Sequence, residues 1–222
     1  MSVILVNPMC GVSYRYKIVF LSNHKCASTS LEQYLNRNNL IDQHFARMHN
    51  HRLMGNKRHT SLNVLTKCYP AWRMFRVLVT VRNPFDRMVS VYNYNSNHVT
   101  DTDGTIPDDI NQALQTISLN PKHPHNYSPF RSFVPPLPNV VVVRVEDMCK
   151  PGKMKETLQK LGVPLKALRT LSDFGHANTS KEKRATVQDL SEKTRKMIVH
   201  YFAHEIKLYY PEIAKEYGLT GK

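Results

Sequence analysis

Apolar residues in this chain fall into short runs set between polar stretches. Four runs predict strands: Lys17–Leu21, Phe75–Val81, Val140–Val145 and, as an edge strand, Val3–Val6. Their near-continuous apolar character fits parallel strands covered on both faces. Between them the pattern changes to helical spacing. Helices are predicted over Ser28–Asn36, with Leu31, Tyr34 and Leu35 on one face, and over Pro84–Tyr94, where the proline suits a first turn. Further helices are predicted over Asp108–Ser118, over Lys153–Leu161 with a stop at Gly162, and from about Ser191 to Tyr209 as one long last helix. The alternation implies an α/β class: a three-layer domain with a central parallel sheet and right-handed crossovers. Ligands of such sheets bind at the carboxyl ends of the strands. Residues 97–137 are polar and proline-rich and predict a long surface loop holding a short helix. With no repeat and no Gly/Ser linker, a single domain over 1–222 is expected.

Charge narrows the partner. Thirty-one Lys and Arg against 17 Asp and Glu give a net charge of +14. An excess of this size points to an anionic partner or substrate, such as a nucleotide, an acidic glycan, nucleic acid or a membrane surface. Cys10, Cys26, Cys68 and Cys149 show neither CxxC pairing nor zinc spacing, so reduced thiols and no metal are expected. The apolar run Val3–Val6 is too short for a signal-peptide core or a membrane span. A cytoplasmic location is therefore expected, or the Golgi lumen if the sequence is a piece of a longer protein.

The chemistry concentrates where the first long strand run ends. Lys17-Ile-Val-Phe-Leu leads into a polar loop holding Lys25 and the hydroxyl residues Ser28, Thr29 and Ser30, and a helical pattern follows at once. A strand that delivers a lysine and unpaired amides to a helix N-terminus is an anion site, suited to a phosphate or sulfuryl group. The second stretch is Val81-Arg-Asn-Pro-Phe-Asp-Arg-Met-Val-Ser90. Arg82 closes a strand, where its fork can grip a phosphate, and Ser90 lies two turns into the next helix. Asp86 falls in that helix's first turn, and Arg87 reads as a structural ion-pair partner.

Together the two stretches resemble the sulfotransferases that use 3′-phosphoadenosine 5′-phosphosulfate. Lys25-Cys-Ala-Ser-Thr-Ser30 is similar to that family's 5′-phosphosulfate loop, a P-loop-like element, and Arg82 to Ser90 is similar to its 3′-phosphate element. Val143–Met148, and His176–Lys181 followed by Leu190-Ser-Glu and the last helix, resemble the carbohydrate, Golgi-type branch. The family's loop proline is His24 here, its loop glycine is Ala27, and its usual aspartate in the last helix is replaced around His204 and Glu205. The resemblance implies sulfuryl transfer from this nucleotide to an acceptor hydroxyl, most simply of a glycan. Lys25, Cys26, Ala27, Ser28, Thr29, Ser30, Arg82, Ser90, Ser180 and Lys183 would bind the nucleotide. Lys25 would also neutralise charge at the transferring group, and His176 would order the segment over the cofactor. His59, within Lys57-Arg-His-Thr-Ser61, resembles an acceptor-deprotonating histidine, and His49, His51 and His125 are alternatives.

Two other readings stand beside this one. A non-catalytic basic protein would bind nucleic acid or a polyanionic glycan with a steep salt dependence and no need for Lys25. A P-loop-type kinase needs Gly-x-x-x-x-Gly-Lys-[Ser/Thr], but this loop has no glycine and its lysine precedes the hydroxyl residues.

Overall fold

A computed structural model describes residues 10–21, 23, 25–41, 73–98, 106–118, 137–168 and 184–219. The chain forms two compact units, one from Met1–Val81 with Val134–Asn178 and the other from Arg82–Phe133 with Thr179–Lys222.

The first unit carries a four-stranded sheet in the order β1-β2-β3-β4, with β1 at Cys10–Ser13, β2 at Ile18–Leu21, β3 at Arg76–Val81 and β4 at Val140–Arg144. Strands β2, β3 and β4 pair in parallel, with Phe20 opposite Leu78 and Val79 opposite Val142. Strand β1 runs antiparallel to β2, with Val12 opposite Val19. The α/β class is as expected, but the sheet is mixed rather than wholly parallel. The reason is local: only Tyr14–Lys17 separates β1 from β2, and so short a turn can join only antiparallel neighbours. The predicted edge strand Val3–Val6 lies outside the described residues.

The period of two sorts the strands between two cores. Ile18, Phe20 and Leu78 pack with Leu31, Tyr34 and Leu35 of α1 (Ser28–Arg37) and with Met148, Met154 and Leu158. Met148 belongs to the short α4 (Val145–Met148), and the other two to α5 (Lys153–Lys160). Val19, Leu21, Val77 and Val79 face the other way, with Val12 and Phe75. Helix α5 stops as Gly162 predicts. Gly162 has φ +82°, its N–H donates to the Gln159 carbonyl at 2.8 Å, and that of Val163 donates to Leu158 at 2.9 Å. This is a Schellman cap, in which glycine takes the left-handed position at least cost.

The second unit is helical. Helix α2 spans Pro84–His98 and α3 spans Ile110–Ala113, continued as a π-helical turn over Leu114–Ser118. The short helix expected inside 97–137 is therefore present, with its second half widened. The expected long last helix is two, α6 (Glu192–Tyr201) and α7 (Ala203–Tyr209), and a third, α8 (Pro211–Glu216), follows them. Phe202, at φ −102° and ψ 14°, separates the first two. Pro211 causes the second break, because it disfavours a helical residue before it and suits the first position of a new helix. Among the described residues no helix is long and apolar enough to cross a membrane.

Candidate anion-binding site

In the first unit, the chain leaving β2 crosses the end of β3 and enters α1. Two side chains set that path. The Asn23 side-chain amide donates to the Thr80 carbonyl at 2.9 Å, and the Thr80 hydroxyl donates to the Cys26 carbonyl at 2.7 Å. Both bonds are buried, where leaving a polar partner unsatisfied is costly. The tie holds Lys25 and Ala27 in left-handed conformations, with φ 57° and 56°. Ala27 is the N-cap of α1 and provides no capping side chain, and the first turn holds no acidic residue. The positive end of this ten-residue helix thus carries no carboxylate in its own first turn and lies beside a lysine.

The residues of this loop divide by exposure. Lys25, Ser28 and Thr29 are half-buried, whereas Cys26 and Ser30 are buried, Ser30 on the same side of α1 as Leu31 and Tyr34. Any contact from Cys26, Ala27 or Ser30 to a bound anion would therefore come from the backbone. Glu32 and Asn36 share the half-buried flank of α1 with Ser28 and Thr29, while Gln33 and Arg37 are exposed. Burial pushes the Glu32 carboxyl above its ordinary range.

Ala27 answers why its position favours glycine. A left-handed backbone costs an L-residue roughly 1–2 kcal/mol, partly offset by the greater unfolded-state entropy of glycine. Ala27→Gly is expected to raise unfolding stability by about 0.5–1 kcal/mol in denaturant titration. A loss of stability would show that the left-handed conformation carries no strain.

In the second unit, Asn83 explains the Arg-Asn-Pro sequence. Its side-chain oxygen accepts from the Phe85 N–H at 2.9 Å and its carbonyl from the Arg87 N–H at 2.8 Å, which makes it the N-cap of α2 with Pro84 next. Helix α2 is buried nearly all round: Phe85, Arg87, Met88, Val89, Val91, Tyr92, Asn93 and Asn95 are inside. Asp86, Ser90 and Tyr94, spaced by four, form its half-buried stripe, and Arg82 and Asn83 are also half-buried. Ser90 is thus on the accessible row of a helix whose other positions from Pro84 to Asn95 are enclosed.

Arg87 has the structural role its position suggests, with Glu205 rather than Asp86 as partner. Its Nη1 lies 3.5 Å from Glu205 Oε2, the two side chains are 1 % and 3 % exposed, and the guanidinium sits 5.3 Å from the Phe202 ring centroid. In the first unit Arg144 does similar work at the end of β4. Its Nε donates to Asp147 Oδ2 at 2.9 Å, Lys150 Nζ donates to Oδ1 at 2.7 Å, and these bonds hold the Asp147 carboxyl down at about 2.

The two units therefore carry the predicted residues separately. The first holds the Lys25–Ser30 loop, and the second holds Arg82 and Ser90. His49, His51, His59, His125, His176, Ser180 and Lys183 lie outside the described residues. Asn23 and Thr80 were not anticipated. The only signal for Thr80 is one hydroxyl residue inside the apolar run Arg76–Val81. Cys26 and Cys149 form no disulfide, and no cluster of metal-ligating side chains occurs among the described residues.

This is an α/β chain in which a lysine-bearing loop joins a parallel strand to a helix N-terminus. The sequence model described as the sulfotransferase family matches residues 9–136, more than half of the 222-residue chain. The chain belongs to that family, and its chemistry is in general terms sulfuryl transfer. The matched stretch includes the Lys25 loop, Arg82 and Ser90, and it ends before Val143–Met148 and His176–Lys181. No curated protein and no solved structure gives a significant match.

Proposed function

We propose that the chain moves a sulfuryl group from 3′-phosphoadenosine 5′-phosphosulfate to a hydroxyl of a carbohydrate. The observation that carries the donor is the Asn23–Ser30 loop, where left-handed Lys25 and Ala27 bring a cation and an uncapped helix N-terminus to the end of a parallel strand. These residues fit a phosphosulfate group, since they offer backbone donors and a positive charge and hold no acid in the first helical turn. Arg82 and Ser90 fit a second phosphate, as a fork donor and a hydroxyl. The carbohydrate acceptor is supported by the likeness of Val143–Met148 and His176–Lys181 to the carbohydrate branch.

The bound donor supplies a sulfuryl group carried on a phosphate leaving group. Lys25 would neutralise the charge that gathers on the phosphate oxygen as its bond to sulfur breaks. Ser28, Thr29 and the amides of Cys26, Ala27 and Ser30 would hold the 5′-phosphate, while Arg82 and Ser90, with Ser180 and Lys183, would hold the 3′-phosphate end. His59 would take the proton from the acceptor hydroxyl as that oxygen bonds to sulfur. Rate enhancement would come mainly from positioning and fixed charge. The net charge of +14 would also draw in a multiply charged donor.

Thermal-shift titration tests the donor. 3′-Phosphoadenosine 5′-phosphate at a hundredfold over its Kd is expected to stabilise the protein by about 2.7 kcal/mol, well above adenosine 5′-phosphate at the same concentration. Equal stabilisation by the two nucleotides would remove the assignment of Arg82 and Ser90 to a 3′-phosphate.

A further inference from the structure

Asn93 lies on α2 one turn beyond Ser90 and is 4 % exposed. Its amide makes three hydrogen bonds to a distant piece of chain. Oδ1 accepts from the N–H groups of Arg184 at 2.9 Å and Ala185 at 3.1 Å, and Nδ2 donates to the Ala185 carbonyl at 2.9 Å. One side chain thus grips the backbone of two consecutive residues 91 and 92 positions away. The gripped stretch is irregular and has little packing of its own. Ala185 is buried, but Arg184 and Thr186 are exposed, and the next regular feature is the capping box of Thr186 with Asp189. The Arg184 side chain is 47 % exposed, and its Nη1 lies 4.0 Å from Oδ1 of the fully exposed Asp108.

A buried amide that spends three hydrogen bonds on an irregular strand of backbone fixes where that backbone lies. Residues three apart on a helix are neighbours, so the Arg184 backbone is held beside the turn that presents Ser90. We infer that Asn93 is a positioning residue for the 3′-phosphate end of the donor site, acting through the backbone of Arg184 and Ala185. The inference rests on the donor reading above. It assigns Asn93 no contact with the nucleotide: the side chain is enclosed and its polar atoms are taken up by residues 184 and 185.

The test is the ratio of affinities for 3′-phosphoadenosine 5′-phosphate and adenosine 5′-phosphate, measured by calorimetry on the wild type and on Asn93→Ala. The variant is expected to lose about tenfold in that ratio, with affinity for the 5′-phosphate nucleotide unchanged, because only the arrangement at the 3′ end is loosened. A merely structural role would lower both affinities in parallel or neither, and either outcome overturns the inference. Should Asn93→Ala not fold, hydrogen exchange in the wild type decides. Binding of the 3′-phosphorylated nucleotide, and not of adenosine 5′-phosphate, is expected to slow exchange of the Arg184 and Ala185 amides severalfold, and unchanged exchange overturns the inference. A wild type that binds the two nucleotides equally defeats the donor reading itself, and the role of Asn93 falls with it.

Discussion

Arg87→Ala is expected to cost about 3–5 kcal/mol of unfolding stability, which is the usual consequence of removing one partner of a buried ion pair. Both members are almost wholly enclosed, at 1 % and 3 % exposure, so truncating the arginine strands the Glu205 carboxylate away from water. The guanidinium also covers the Phe202 ring, and its removal leaves a void against that ring. A loss of this size is a large share of the 5–15 kcal/mol that holds a typical domain together. Chemical denaturation of Arg87→Ala, Glu205→Leu and the double variant Arg87→Met with Glu205→Leu measures it. The double variant is expected to recover much of the loss, since an apolar pair leaves no charge buried. A cost below about 1 kcal/mol for Arg87→Ala would mean that water reaches the pair and that the enclosure is not maintained in solution.

Lys25→Ala is expected to lower turnover by about 10²–10³ while weakening binding of 3′-phosphoadenosine 5′-phosphate much less. The lysine is assigned to charge that appears only as the sulfuryl group departs, and an interaction confined to the transition state shows in kcat rather than in ground-state affinity. The backbone donors around Ala27, Ser28 and Thr29 remain in the variant, and they account for the retained nucleotide binding. Steady-state sulfate transfer to a panel of glycans, paired with calorimetry, separates the two effects. If the donor KM rises and kcat is intact, Lys25 is a ground-state phosphate clamp, and the charge neutralisation has to come from another group.

The loop was readable because its signal is local: an apolar run, a lysine, three hydroxyl residues and a helical period follow one another within Lys17–Leu35. The departure of Ala27 from glycine was readable too, and its φ of 56° is a conformation that glycine adopts at least cost. The residues that shape the loop were not readable. Thr80 and Asn23 act on partners 54 and 57 positions away, and nothing in the run Arg76–Val81 says where one hydroxyl finds its acceptor. Asn93 escaped for the same reason. The last helix failed differently. Ile198, Phe202, Ile206 and Tyr209 keep a helical spacing across the first break, so the period carries no trace of the interruption at Phe202. Strand β1 is four residues long with a glycine inside, and its pairing with β2, not its composition, makes it a strand.

The chain passes from one compact unit to the other three times, at 81–82, 133–134 and 178–179. No single cut therefore releases either unit whole. A fragment ending after β3 lacks β4, α4 and α5, and a fragment beginning at Arg82 carries those elements without the strands they join. The protein is a poor candidate for dissection by truncation. A gene-fusion event that copied only its first half would inherit the Lys25–Ser30 loop beside an unfinished sheet edge, so a piece of this chain has little to offer as a portable module.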